Sequence, residues 1–399
     1  MARRATVVGS GPNGLSAAVA LARAGYEVQV LEASATVGGG VRSAELTLPG
    51  FVHDVCSAVH PAALSSPFFR AFGLGERIEW IRPDASYAQP LDGGRAAIAW
   101  RDIERTAEGL GRDGRMWLAA LRPLSSHLDA VVDFTGSQLL RWPRHPITTV
   151  RYGLRALQLG SRLGRGTFST EEANALLAGV LAHSNSRLPS VGASASGLFL
   201  AAHAHATDGW AFPRGGAQRI ADVLADDLRE HGGTIETDQH VTTLDGLDWG
   251  DPAAGDLLLL DTSPRLALTH PDIPARYASA ISRYRYGAAA PRSISRSTDP
   301  CPGRIPTSRR RRPSTSAGPG PRWRRARTPS PSAWSPTGRT CSPCSRRSSI
   351  RAGHPQASTC CGRTSTCRRT RRSTRPTSSR VRWSGSPPAS ATASSRRAP

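Results

Sequence analysis

The pattern of apolar and polar positions at the start of the chain predicts a strand, a helix and a second strand. Residues 6–8 are a short apolar run, residues 15–24 are mostly small and apolar, and residues 27–31 form another apolar-rich run. The turn Gly9-Ser-Gly-Pro-Asn-Gly14 separates the first strand from the helix. Because a strand, a crossover helix and a further strand are typical of parallel sheets, this pattern predicts an α/β fold.

The glycine spacing in that turn predicts a dinucleotide-binding site. Gly9, Gly11 and Gly14 form a G-x-G-x-x-G motif, and Glu32 ends the second strand 18 positions after Gly14. In such motifs the first glycine permits a tight turn, the second admits a pyrophosphate, and the third lets the helix pack on the strand. The helix N-terminus then faces the phosphates, and the acid accepts a hydrogen bond from a ribose hydroxyl. Since strands, helix and acid all frame the motif, a glycine-rich turn without a ligand is less favoured.

Later apolar patterns predict further parts of the same sheet. Residues 217–231 have an apolar stripe at helical spacing, which predicts an amphipathic helix. Residues 234–244 predict a strand, a turn and a second strand. The unbroken apolar run within 256–261 predicts a fully buried parallel strand that returns to the sheet.

These patterns predict four segments. Residues 1–61 and 206–287 are the two parts of one Rossmann-like domain, interrupted by residues 62–205. The interruption is mostly helical in pattern and is predicted to form an inserted substrate domain. Residues 288–399 are predicted to be a disordered basic tail.

Charge and composition divide the chain at the start of this tail. Residues 1–287 hold 27 Arg and 29 Asp and Glu, whereas residues 288–399 hold 25 Arg and a single acid, Asp299. The tail consists largely of Arg, Ser, Pro, Thr and Ala and has no Leu, Phe or Tyr. Such a segment buries too little apolar surface to offset its chain entropy, so we expect disorder.

Composition also excludes several classes of protein. No run of about 18 apolar residues predicts a transmembrane helix. The N-terminus passes into the first strand without the apolar stretch of a secretory signal, which predicts a cytoplasmic protein. Before the tail there is only one cysteine, Cys56, so no disulfide framework is expected.

The segment after the ribose acid carries a resemblance to known flavoproteins. Ala33-Ser-Ala-Thr-Val-Gly38 continues into Gly39, Gly40, Val41 and Arg42. It resembles the double-glycine segment of the amine oxidase and phytoene desaturase superfamily, which implies FAD as the cofactor. In that superfamily an arginine directly follows the glycine pair, whereas here Gly40 takes that place. A phosphate-binding role for Arg42 and a solvated loop arginine therefore both stay open.

Two further segments narrow the resemblance. Residues 49–61 and 209–216 are similar to bacterial phytoene desaturase-like oxidoreductases. This resemblance implies hydride transfer between FAD and an apolar, isoprenoid or lipid-like substrate, in a desaturase or isomerase reaction. A peripheral membrane contact would suit such a substrate. In the wider superfamily, the valine that matches Val241 contacts the adenine end of FAD through its backbone, and the resemblance implies the same role here. The residues that the motif and the resemblance place at the cofactor are Gly9, Ser10, Gly11, Gly14, Glu32, Ala33, Gly38, Gly39, Arg42 and Val241.

Several polar residues invite other functions, but simpler interpretations are favoured. His203 and His205 could form a metal pair, yet no third ligand is evident, and packed or solvated histidines are more common. His53, Asp54 and His60 could suggest acid–base chemistry, although structural roles are at least as consistent with flavin chemistry. No catalytic residue and no metal ligand is therefore assigned.

Three explanations are open for the tail. Its arginines and tryptophans could bind nucleic acid, as in a nucleic-acid-binding protein with an attached Rossmann-like domain. Its cysteines could bind metal, although their spacing is unlike a zinc ribbon. The favoured explanation is an out-of-frame translation, and under it no specific nucleic acid is expected. With G+C-rich codons, re-reading from one base earlier yields family-like sequence in the family's order, at residues 296–307, 359–368 and 383–390. The segment that contacts the flavin ring would then be missing, and activity would be impaired.

Overall fold

The computed structural model describes residues 2–138, 141–164, 166–287 and 294. The predicted disordered tail lies outside the described residues except for residue 294. All three explanations of the tail therefore concern residues outside the described part. The described part has an α/β fold with a parallel sheet and many helices, as the sequence predicts.

Strands β1 to β10 and helices α1 to α11 follow one another along the described chain. The strands, in order, are Arg4–Val8, Glu27–Leu31, Ser43–Glu45, Val52–Asp54, Trp80–Ile81, Ala85–Pro90, Ala96–Trp100, Phe212–Pro213, Thr234–Glu236 and Leu257–Leu260. The helices, in order, are Pro12–Arg23, Pro67–Phe72, Leu74–Arg77, Ile103–Gly109, Gly114–Ser125, Leu128–Thr135, Pro146–Gly160, Glu171–Leu181, Val191–Ala204, Gln218–Glu230 and Ala275–Ser282.

A four-stranded parallel sheet carries the predicted strand–helix–strand unit. Its strand order is β10-β1-β2-β9, and Val7 of β1 pairs with Val30 on one side and Leu259 on the other. Helices α1 and α10 pack against each other, and their apolar faces join the core of this sheet. Because the chain order reverses between β1 and β10, the carboxyl ends of these two strands form the crevice where such sheets bind nucleotides.

A second apolar core lies among helices α4 to α9. It is built around the fully buried Trp117 and includes Leu124 and Leu198. The segment 62–205 is not helical throughout, because β6 and β7 form an antiparallel hairpin within it. Alternate residues of β7 are buried, a strand pattern that the small Ala side chains conceal in the sequence.

The start of the predicted substrate domain packs with the sheet instead. The side chains that enter the sheet's core from this segment are Phe72, Leu74, Ile78 and Trp80. Strand β5, which contains Trp80, pairs with β8 and so links this segment to residues 212–213. The four segment boundaries themselves stay predictions.

Two predicted strands differ from the structure. Only Thr234–Glu236 is a strand, and residues 237–244 follow as a loop that contains Asp238 at a φ of +58°. Strand β10 joins the sheet parallel to β1, but it is not fully buried, since Leu257 is 37% exposed. No described residue after Leu244 is buried, so no described layer covers this edge of the sheet.

Candidate dinucleotide site

The turn between β1 and α1 needs glycine for steric reasons. Gly9 has a φ of +102°, and a Cβ atom there would lie 2.4 Å from the carbonyl oxygen of Asp261. A Cβ atom on Gly14 would lie 2.3 Å from the carbonyl oxygen of Gly9. Both contacts are with backbone, which cannot easily move away, so the sequence motif has a physical cause in this structure.

The first turn of α1 presents backbone donors to the crevice. Among the described residues, the N–H groups of Gly11 and Asn13 have no hydrogen-bond partner. Pro12 lies between them and has no N–H group to satisfy. Unpaired N–H groups at a helix N-terminus, with the positive end of the helix dipole, suit a pyrophosphate. The turn therefore fits a dinucleotide.

Asp261 is a member of this site that sequence reasoning missed. It follows β10 directly, and its Oδ2 atom accepts a hydrogen bond from the N–H of Gly14 at 2.9 Å. A Cβ atom on Gly11 would lie 2.5 Å from the same oxygen. A polar residue directly after the last apolar strand was the available signal, because that strand ends at the nucleotide-binding crevice.

Glu32 lies beside the turn and is almost fully buried. Its Oε2 atom accepts from the backbone N–H and the hydroxyl of Ser10, at 2.9 and 2.5 Å, and its Oε1 atom accepts from the Ser34 N–H at 2.8 Å. Burial acts to raise the pKa of Glu32, but these hydrogen bonds outweigh it and lower the pKa below its ordinary value. Glu32 is thus an ionised carboxylate that these hydrogen bonds fix in place, and Oε1 retains a lone pair for a further donor.

The second glycine cluster lies directly on the first. The N–H of Gly38 donates to the carbonyl of Ser10 at 2.9 Å, and a Cβ atom on Gly39 would lie 3.0 Å from the Cα of Gly11. Both Gly38 and Gly39 have positive φ, whereas the space beside Gly40 is open to 4 Å. Two glycine segments 27 residues apart, counted between Gly11 and Gly38, thus form one backbone surface.

Arg42 and the loop that contains Val241 close the same region. The Arg42 guanidinium donates through Nε to the carbonyl of Gly39 and through Nη1 to the hydroxyl of Ser34, both at 3.0 Å. Gln239 N–H donates to the carbonyl of Glu32 at 2.8 Å, which places the Val241 loop along the end of β2. Arg42 is therefore part of the glycine surface, and its phosphate role stays a prediction.

The comparisons with known proteins agree with this geometry. Residues 7–72 match the family of NAD(P)-binding Rossmann-like domains. This Rossmann-like match includes the glycine turn, Glu32, the second glycine cluster and Arg42. No curated protein sequence matches the chain.

Several solved structures are similar to parts of the chain. A CLA-producing fatty acid isomerase from P. acnes is 17% identical and has a TM-score of 0.44, and the match covers 70% of this chain and 64% of that one. Putrescine oxidase bound to putrescine is 18% identical, with a TM-score of 0.47 and coverages of 72% and 64%. Cyclohexylamine oxidase from Brevibacterium oxydans is 18% identical, with a TM-score of 0.42 and coverages of 71% and 63%. The chain thus spans less than two thirds of the length of these structures.

The three acid–base candidates near the Rossmann-like domain are held in different ways. Asp54 Oδ1 accepts from the Ser43 hydroxyl at 2.6 Å and from the Ala217 N–H at 2.8 Å, so it ties the β3–β4 hairpin to the start of α10. His53 is hydrogen-bonded to Thr47. The Nε2 atom of His60 is buried without a partner among the described residues, and burial lowers the pKa of its ring. His60 is therefore a neutral polar group with an unused nitrogen.

His203 and His205 point to different neighbours. His203 Nδ1 donates to the carbonyl of Phe199 at 2.8 Å, so Nε2 accepts from the Ser65 hydroxyl at 2.7 Å. His205 Nδ1 donates to a backbone carbonyl at 2.7 Å, and Nε2 accepts from the Trp117 indole at 3.0 Å. Burial lowers the pKa of His205 to about 4. Both rings are thus neutral, packed side chains, and the described residues contain no cluster suited to a metal ion.

Two cavities are lined in part by the segment that follows His60. One has a volume of about 740 Å³ and is lined mainly by apolar side chains of α6, α7 and α9. The other has a volume of about 430 Å³ and is lined by charged and polar groups, including Arg70 and Asp129, which form an ion pair. Ser65 lines both cavities, and its hydrogen bond to His203 lies in the wall between them.

Among the described residues, no helix has both the length and the apolar composition needed to cross a bilayer.

Proposed function

We propose that this protein is an FAD-dependent oxidoreductase whose substrate is an apolar molecule held in the 740 Å³ cavity. The observation that carries the proposal is that one chain segment, residues 57–62, runs from the glycine surface to the wall of that cavity. The N–H of Ser57 donates to the carbonyl of Gly40 at 2.9 Å, and the N–H of His60 donates to Ala211 at 3.0 Å. Ala62, two residues later, already lines the apolar cavity.

The chain's own groups would hold the cofactor as follows. The N–H groups of Gly11 and Asn13 would donate to the pyrophosphate, and Oε1 of Glu32 would accept from a ribose hydroxyl. Arg42 would contribute positive charge beside the phosphates. When bound, the flavin supplies the hydride chemistry, while the protein positions the two reactants and excludes water.

The cavity wall suits an apolar substrate. Val132, Phe134, Ala156 and Phe199 line it. Tyr152 also lines it, and burial raises the pKa of this phenol, so it stays protonated. Its hydroxyl donates to the carbonyl of Ala195, which satisfies the one polar group it brings to the wall. This wall supports an isoprenoid or lipid-like substrate, and the desaturase or isomerase reaction that we propose for it rests on the resemblance of residues 49–61 and 209–216.

We further propose that residues 288–399 are translated out of frame, so that this chain is impaired. Among the described residues no buried layer covers β10, and this supports the proposal, because a parallel strand is normally covered on both faces. Leu257 is 37% exposed and helix α11 has no buried residue. A restored C-terminal segment would supply such a layer.

Filling the apolar cavity is expected to prevent apolar ligands from binding. Gly153 of α7 lines the cavity, and a Cβ atom there would have no heavy atom within 4 Å. Gly153→Phe should therefore fill the cavity without disturbing its neighbours, and should weaken binding of the fluorescent probe cis-parinaric acid by about tenfold or more. The measurement is a fluorescence titration.

The control is Gly109→Phe, since Gly109 ends α4 with open space around it and lines none of these cavities. Its affinity for the probe should equal that of the wild type. Equal binding by Gly153→Phe and wild type would show that the cavity is not the ligand site.

Removing the charge of Asp261 is expected to tighten FAD binding. Its carboxylate lies against the same N-terminal turn that would donate to the pyrophosphate, so the two negative charges repel. Asp261→Asn keeps an oxygen acceptor for the Gly14 N–H and removes about 1 kcal/mol of repulsion, or about fivefold in affinity. The gain should shrink at high salt.

Calorimetric titration with FAD measures this effect. Asp272→Asn, at an exposed carboxylate outside the crevice, is the matched control and should leave the affinity unchanged. Weaker binding by Asp261→Asn at low salt would mean that the carboxylate helps rather than opposes the cofactor.

A further inference from the structure

Helix α7 has apolar side chains on two faces. One face packs on α9 and includes the buried Tyr152, Ala156 and Leu159. The other face is exposed, with Ile147 at 69% and Leu154 at 62% of full exposure. A helix with one apolar face buried in the protein has no structural need for a second one.

The exposed face runs along most of the helix. Four exposed apolar residues recur at i, i+3, i+7 and i+10 along α7, and two further large exposed residues flank the helix in the sequence. We call this set the α7 surface, and its residues are Trp142, Ile147, Val150, Leu154, Leu157 and Leu163. Trp142 is 88% and Leu163 80% exposed. The helix itself spans about 22 Å, at about 1.5 Å per residue.

The charge around this surface has one sign. Between Asp133 and Glu171 the sequence holds six arginines and no acid. Asp133 pairs with the two arginines nearest to it, Arg141 and Arg144. Three further arginines form no ion pair within the part of the chain that the structure describes, and these are Arg151, Arg155 and Arg162. Their positive charge is therefore not compensated there. The surface around α7 is thus both apolar and basic.

The α7 surface adjoins the mouth of the apolar cavity. Gly153, Ala156 and Leu157 of this helix line the cavity, and Leu157 is also 54% exposed. The same helix therefore separates the apolar cavity from the exterior, and one of its side chains faces both.

We propose that the α7 surface docks on an anionic lipid bilayer. The apolar row would enter the boundary between headgroups and acyl chains, and the arginines would lie at the lipid phosphates. An apolar substrate would then pass between the bilayer and the cavity beside Leu157. That last step rests on the proposed function, whereas docking itself does not.

Charge argues against two other occupants. The segment 288–399 carries 25 Arg and one acid, so it would be repelled by the arginines around α7. A second copy of the chain would bring the same arginines to the contact. Anionic lipid is the partner that offers both an apolar interior and negative charge.

Trp142 provides a local test in the full-length chain. Vesicles of phosphatidylcholine with about 30% phosphatidylglycerol would be prepared with brominated acyl chains, which quench tryptophans that enter the acyl boundary. The fluorescence of Trp142 is obtained by subtracting the emission of Trp142→Phe from that of the wild type. We expect the brominated vesicles to quench this fluorescence strongly. Unquenched Trp142 fluorescence in protein that sediments with the vesicles would show that another part of the chain binds them, and would overturn the proposal.

Substitutions on the surface provide the second test. Ile147→Glu with Leu154→Glu should lower vesicle partitioning by about tenfold or more, because two exposed apolar contacts are replaced by negative charges. Met116→Glu, at a 43% exposed apolar residue of α5, is the matched control and should partition like the wild type. Arg151→Gln should lower partitioning about fivefold on anionic vesicles. Circular dichroism checks that all variants are folded.

Two further outcomes would contradict the proposal. Equal partitioning by the double variant and the Met116→Glu control, with equal quenching of Trp142 in both, would exclude the α7 surface as the docking site; the quenching is needed because the 25 arginines of residues 288–399 can also bind anionic vesicles. Concentration-dependent dimerisation that the double variant abolishes, without vesicle quenching of Trp142, would assign the surface to a second copy. Neither outcome depends on flavin, so FAD titrations of the same proteins keep a failure here separate from a failure of the proposed function.

Discussion

Gly11→Val is expected to abolish FAD binding, with a loss of affinity of about a hundredfold or more. Gly11 has an extended backbone, with φ of −65° and ψ of 171°, which valine adopts without strain. The effect therefore comes from the added side chain. Its Cβ would lie 2.5 Å from Asp261 Oδ2 and would cover the N–H groups at the start of α1. Equilibrium titration with FAD, followed by quenching of its fluorescence, measures the loss.

Two variants separate blocked approach from other causes. Gly109→Val tests the cost of a branched residue at a glycine with open surroundings, and should bind FAD like the wild type. Asp261→Ala tests whether displacing that carboxylate is enough to lose binding, and we expect it to retain FAD. If Gly11→Val and the wild type bind FAD equally, the assignment of this turn to the pyrophosphate is wrong.

Local patterns predicted the part of the site that a short stretch of chain builds by itself. Gly9, Gly11, Gly14 and Glu32 lie on one strand–helix–strand unit, so their spacing alone determines where they meet. The prediction of that unit is confirmed, together with the parallel pairing of β10 with β1. The amphipathic pattern at 217–231 likewise corresponds to α10.

Long-range contacts account for most of what the sequence did not predict. Asp261 reaches Gly14 across 247 positions, and no local pattern connects them. Periodicity also predicted a second strand within residues 234–244 that the structure does not contain, because apolar alternation does not reveal whether a neighbouring strand is available to pair. After Glu236, residues 238 and 239 donate to the loop at 32–34 instead of continuing a ladder.

Burial is a further property that pattern alone did not determine. An unbroken apolar run predicts a covered strand only if the rest of the chain supplies the covering layers. For Leu257–Leu260 the described residues supply no such layer, since none of those after Leu244 is buried. The same occurs in α7, where the row that includes Ile147 and Leu154 has apolar residues that face away from the protein.

Restoring the reading frame is expected to turn a chain that binds FAD weakly and purifies nearly colourless into one that purifies yellow. The change is the insertion of one base between codons 287 and 296, because the re-read segments all begin one base before the codons now in use. The restored chain should run past the present end, at Pro399, and should cover the edge at β10. The measurements are the visible absorption of bound flavin and the resistance of Leu257–Leu260 to amide hydrogen exchange.

The matched control is the same inserted base placed after codon 390, beyond the last of the re-read segments. That gene keeps the present sequence through residues 288–390, so its product should stay colourless and its β10 amides should exchange quickly. A covering layer slows the exchange of the β10 amides, because the strand can then open only if packed side-chain contacts are lost together with its hydrogen bonds. If resequencing confirms the present frame, and the chain as given binds FAD stoichiometrically and turns over an apolar substrate, the out-of-frame account is wrong. The uncovered edge at β10 would then need a partner from outside the described residues.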